Sequence, residues 1–164
     1  MDALQDTLIG LAEIAIALAG FSAIVVMLRQ GADGRWRALD AARFHGMVLH
    51  SCGAFAFALL PTLMNAVIQN AEMTLHIAAG LLGTLTLCHA ALVLWTVRTN
   101  WIERVLLAGG FSIGLLQWVV FTDRGFEREH EIYLVGVAWH TLQAAILFLG
   151  LVWIPSDSIR DGDS

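Results

Sequence analysis

Residues 138–150 read AWHTLQAAILFLG, a run apolar enough to lie in lipid that nevertheless carries His140, Thr141 and Gln143. Residues 48–60, VLHSCGAFAFALL, repeat the pattern with His50, Ser51 and Cys52. Working outward from these two, apolar stretches close to the length of a bilayer crossing recur five times, at roughly 8–28, 44–67, 74–97, 102–121 and 132–154. Their ends are marked by arginine, acidic residues or tryptophan, the side chains that sit where lipid meets water. The sequence therefore predicts an all-α integral membrane protein, a bundle of five transmembrane helices. The fourth stretch is the weakest, because Gly109, Gly110 and Gly114 dilute it and Glu103 and Arg104 open it. Without it the count would be four.

Composition agrees. Of 164 residues 58% are hydrophobic and only 14% charged, with a mean hydropathy of +0.72, whereas soluble domains carry about a quarter charged residues. A chain this short has too little interior to hide that excess, so lipid must solvate much of its surface. Residues 1–154 read as one transmembrane domain and 155–164 as a short acidic polar tail. The first stretch follows an acidic start, MDALQDTLIG, and lacks a cleavage signature, so it is expected to be retained as a span.

Arginine supplies all nine basic residues. Arg29, Arg35, Arg37 and Arg43 fall at the first connection and Arg98 and Arg104 at the third, while IQNAEM has no basic residue and in DRGFEREHE Asp123, Glu127, Glu129 and Glu131 outnumber Arg124 and Arg128. The positive-inside rule then predicts an external N-terminus and a cytoplasmic C-terminus. The arginine-only, Ala- and Gly-rich composition suggests a bacterial cytoplasmic membrane. No basic block could follow a phosphate backbone, which argues against nucleic acid as a partner. Cys52 and Cys88 lie in apolar runs without metal-like spacing and are expected to be small buried side chains.

Small residues recur where helices must approach closely: Ala15, Ala19 and Ala23 in the first span, Gly46 and Gly53 flanking His50 in the second, and Gly110 with Gly114 in the fourth. Pro61 should kink the second helix. A shift of 90 positions superposes Glu13 on Glu103, Gly20-Phe21-Ser22 on Gly110-Phe111-Ser112, Asp33 on Asp123, Gly46 on Gly136, His50 on His140 and Ser51 on Thr141. This shift carries spans 1–2 onto spans 4–5 around span 3 and so predicts an inverted-topology repeat, a design shared by many transporters.

The polar residues inside these spans are the candidate site. Counting along the helices sorts them into an inner set, His50, His89 and Glu103, and an outer set, Glu13, His140 and Gln143. Glu13, beside Ala17 and Gly20, is expected either at a helix contact or close enough to the interface for its carboxyl to reach water or headgroups. His45, His76 and His130, near span ends, read as interfacial. Three accounts compete. In one, the polar groups are glue between helices, each bond contributing about 0.6 kcal/mol. In another, they form a broken file of titratable groups that passes protons or a small solute, for which the two ring nitrogens of histidine are suited. Or His50 and His89 would be the axial ligands of a b-type haem in an electron-transfer anchor. No hydrolase, zincin or P-loop motif is present, so no catalytic residue and no metal site is assigned. A proton or small-solute channel or transporter is the leading expectation, with the haem anchor and a non-transporting scaffold as alternatives. A homo-oligomer such as a dimer is expected, because five helices enclose little room.

Overall fold

The computed structural model describes residues 2–29, 38–96, 101–123 and 127–153. The acidic tail, Arg35, Arg37 and Arg98 lie outside the described residues. Five helices follow one another: α1 (Asp2–Arg29), α2 (Ala38–Ile68), α3 (Ala71–Thr96), α4 (Trp101–Thr122) and α5 (Glu129–Trp153). All five are long and apolar enough to cross a membrane. The doubtful fourth has 22 residues, about 33 Å at 1.5 Å per residue, which suffices for a hydrocarbon core of about 30 Å. At most 39% of any span is buried within the protein. The rest of each helix presents apolar side chains outward, as a multi-pass membrane protein requires.

The turn between α2 and α3 is minimal. Gln69 takes a positive φ of 53° and its N–H donates to Asn65 O at 2.9 Å, closing α2 in the manner of a left-handed C-terminal cap. Asn70 then caps α3 through its Oδ1, which accepts from the N–H of Met73 at 3.0 Å.

Helix α5 touches all four of the others, and α1 packs on both α2 and α5. The α3–α4 pair is close because glycines meet: a Cβ on Gly83 would lie 2.9 Å from Gly114 O, and one on Gly114 would lie 2.9 Å from Leu87 Cγ. Side-chain loss thus allows the backbone approach that drives association in lipid. Tryptophan replaces the missing atoms elsewhere, since Trp139 lies over Gly109 and Gly110.

Helices α2 and α5 are antiparallel, and hydrogen bonds join them along their length. Arg43 Nη1 donates to Gly150 O at 2.9 Å at one end, His50 and His140 meet in the middle, and Tyr133 Oη donates to Phe57 O at 2.6 Å at the other end. The last bond has a cause in the sequence. Pro61 has no N–H to offer the carbonyl one turn back, which is that of Phe57, and the buried Tyr133 hydroxyl supplies the missing donor. Arg43 and Tyr133 are 90 positions apart, as are His50 and His140. Of the residues that the shift superposes, His50 and His140 meet here. The flanking helices pack differently, for α1 packs on α2 and α5 whereas α4 packs on α3 and α5.

Two apolar clusters fill the bundle. One, around Leu8, Leu75, Leu82 and Val137, occupies the end where α1 begins. The other gathers Val26, Met47, Ala144 and Leu151 at the opposite end. His50 lies between Met47 and Ala54 along α2, and His140 between Val137 and Ala144 along α5, so the histidines occupy the seam between the two clusters.

Candidate functional site: a buried histidine cluster

The helices bring His50, His89 and His140 together. His50 is 5% exposed and His140 4% exposed, with their Nδ1 atoms 3.1 Å apart. Gly53 lies alongside, where a Cβ would be in ordinary contact 3.8 Å from His140 Nδ1. The His89 ring stands edge-on to His50, with centroids 4.8 Å apart and planes at 84°. The division into inner and outer sets is thus corrected for His140, which shares the level of His50. Counting residues from the two span ends misplaced it because α2, with 31 residues, and α5, with 25, differ in length.

Thr86, which the sequence reading did not single out, fixes the protons. Its hydroxyl donates to Leu82 O at 2.8 Å and its oxygen lies 3.1 Å from His140 Nε2. One hydroxyl hydrogen cannot serve both, so His140 Nε2–H donates to Thr86. The neutral His140 ring then presents a bare Nδ1, and His50 Nδ1–H donates to it. His50 is left with an unprotonated Nε2. A single hydroxyl on α3 therefore sets the tautomer of both rings, one on α5 and one on α2. The signal was present in TLTLCH, where Thr86 and His89 are three apart and face the same way.

The other expected residues behave differently. Gln143 lies one turn beyond His140, beside Gly110 of α4. The nearby Trp139 Nε1 is buried without a hydrogen-bond partner. Glu13 does not join the cluster. It is exposed on the outward face of α1, where a Cβ on Gly10 or Gly20 would meet nothing within 4 Å, so the helix contact expected there is absent within one chain. Glu103 opens α4, and its side chain lies outside the described residues. Cys52 and Cys88 are exposed, not buried, because each follows a helix-facing neighbour by one position and so turns outward. His76, read as interfacial, is 4% exposed. Its Nδ1–H donates to Glu72 O at 2.8 Å, and its Nε2 is 3.6 Å from Glu129 Oε2. Gln117, fully buried, was also missed; it donates to Ile132 O at 2.6 Å through space that Gly136 leaves open.

Axial ligation of haem by His50 and His89 would need an iron and a macrocycle between the two rings. The rings instead touch edge to face, so as they stand they do not fit that group. Among the described residues no three His, Cys, Asp or Glu side chains are grouped to hold a metal ion. Comparison with protein-family models, curated proteins and solved structures finds no match to this chain, and the geometry alone carries the functional reading.

Proposed function

We propose that this protein passes protons through a membrane by a relay centred on His50 and His140. The observation that carries the reading is the Nδ1 to Nδ1 contact of 3.1 Å between two buried rings, with the outer nitrogen of His140 held by Thr86. A proton taken up at His50 Nε2 allows the Nδ1 proton of His50 to cross to His140 Nδ1, and His140 then releases its Nε2 proton toward Thr86. Each step breaks one N–H bond and forms another, and neutral histidine can do both near neutral pH. His89 against His50 is the group placed to deliver the first proton. Rings in direct contact exchange a proton and nothing larger, which favours proton transfer over passage of a solute. Glu13 and Glu103 are not needed for this central step.

We place the protein in a bacterial cytoplasmic membrane with its N-terminus outside, on the arginine asymmetry of its connections. Self-association belongs to the same proposal and is tested by the particle mass in nanodiscs.

A second reading has its own support: His50–His140 lies between two other α2–α5 bonds and would then serve as a pin alone. Asparagine separates the two. It can place an amide near each Nδ1 and keep a hydrogen bond, but it cannot take up and release a proton. In proteoliposomes under a pH gradient, His50→Asn and His140→Asn are expected to abolish protein-dependent proton flux while remaining folded, and His45→Ala, at an exposed position, is expected to leave it intact. Flux that survives both asparagine variants refutes the relay. An absorption spectrum of protein from haem-replete cells tests the haem alternative, and a colourless preparation is expected.

A further inference from the structure

Where α3 and α5 both begin, titratable side chains of the two helices meet away from the relay, about 15 Å along α3 from Thr86. His76, in the second turn of α3, is 4% exposed, and its Nδ1 lies 2.8 Å from Glu72 O. A carbonyl oxygen only accepts, so this nitrogen carries the hydrogen of a neutral ring and Nε2 is left bare. Facing Nε2 at 3.6 Å is Oε2 of Glu129, from the first turn of α5, and an ionised carboxylate also only accepts. Two acceptors therefore confront one another, with Nε2 sealed from solvent and without a hydrogen-bond partner. A single proton resolves the conflict. It turns the contact into a charge-assisted N–H···O bond, which runs about 2.7 to 2.9 Å and draws the two groups together by about 1 Å.

We propose that His76 and Glu129 bind a proton between them and so form a pH-dependent clasp from α3 to α5. The route for the proton lies on the same residues. Glu129 keeps 15% of its side chain exposed, and its other oxygen, Oε1, is 3.7 Å from Nδ1 of His130, which is 44% exposed. The carboxyl thus takes a proton at the surface and hands it to a nitrogen that water does not touch: an O–H bond breaks and an N–H bond forms at Nε2. The charges around His76 favour the cation. Glu72 lines a cavity of about 180 Å³ together with His76 and Phe121 of α4, and Asp123 follows two residues after Phe121. Helix α2 brings no charge, since its last turn reads NAVI. Asp6 of α1 and Glu131 of α5 are exposed. His130 is the group that would oppose the cation, and it stands on the other oxygen of Glu129, where solvent screens it. A proton held only in the folded chain adds stability at low pH, and that contribution fades as the pH rises past the ordinary histidine range.

A double-mutant cycle isolates this pair from every other histidine. The full chain, His76→Gln, Glu129→Gln and the double variant are unfolded reversibly in mixed micelles at about pH 5.5 and about pH 8.5, either side of the histidine range. The coupling between the two positions should favour folding about tenfold at the lower pH, the equivalent of one hydrogen bond to a charged group, and should vanish at the higher. The cycle of His130→Gln with Glu129→Gln should show less than about a twofold coupling at either pH, because that pair lies in solvent. The wild-type chain alone supplies a second measurement. Solid-state NMR of the protein in bilayers, with labelled histidine nitrogens and glutamate carboxyl carbons, should show hydrogen on both ring nitrogens of His76 at the lower pH and a shorter distance from Nε2 to the Glu129 carboxyl carbon than at the higher. Coupling that is absent or the same at both pH values, or a His76–Glu129 distance that does not change, would overturn the proposal.

Discussion

Replacing Tyr133 by Phe removes one oxygen atom from a residue that is fully buried. The atom's partner is the carbonyl of Phe57, 2.6 Å away, which Pro61 has deprived of its helical donor. Most helix-to-helix bonds in lipid are worth about 0.6 kcal/mol, because the separated helices find other partners. Here the separated α2 cannot satisfy Phe57 O by itself, so the loss should approach the cost of a buried unpaired acceptor, about 1 to 3 kcal/mol. Pro61→Ala restores an N–H at position 61 and thereby an acceptor–donor pair within α2. In that background Tyr133→Phe should cost about 1 kcal/mol less, a coupling that a double-mutant cycle resolves. Reversible unfolding of the four proteins in mixed micelles, followed by circular dichroism, supplies the free energies. Equal costs of Tyr133→Phe in the two backgrounds would refute the account, since the hydroxyl would then be serving something other than the proline's orphan.

Gly83→Leu should separate α3 from α4 and destabilise the protein by at least about 2 kcal/mol in the same assay, because its side chain has no space to enter; unchanged stability would contradict the close crossing. Cys52 and Cys88 should both react with a lipid-soluble thiol reagent in the folded protein, and protection of either would contradict its outward placement. In a Cys52→Ser/Cys88→Ser background, an impermeant thiol reagent applied to intact cells should label Asp2→Cys and not Ser164→Cys. Equal labelling of the two would put both termini on one side.

The number of spans could be read from the sequence because length and hydropathy act locally: each run must bridge the same thickness of hydrocarbon, whatever its neighbours do. Facing is a different matter. His50 and His140 were recognised as residues requiring explanation, and the shift that equates them marks the pair that meets, yet their common level depends on how α2 and α5 slide past each other. That slide is set by Tyr133 reaching Phe57 and by Arg43 reaching Gly150, both of them contacts between distant parts of the chain. The helix contact expected at Glu13 is not made within one chain, for a related reason. Small neighbours on a helix make close approach available without saying which face is used, and α1 uses the face of Leu8, Ala12, Ala15 and Val26. Thr86 was missed because a threonine in an apolar helix ordinarily bonds its own backbone. Thr86 does so too, and the functional use of its oxygen comes from the remaining lone pair.

The connection from α2 to α3 is a mechanical constraint as well as a turn. With only Gln69 and Asn70 between the two helices, and with both residues committed to caps, that end cannot separate without breaking helix. Any rocking of α2 against α3 must therefore pivot there and be largest at the far end, near Arg43. His50 lies partway along the lever, so that a small tilt of α2 lengthens or shortens its contact with His140 and acts as a throttle on the bond between them.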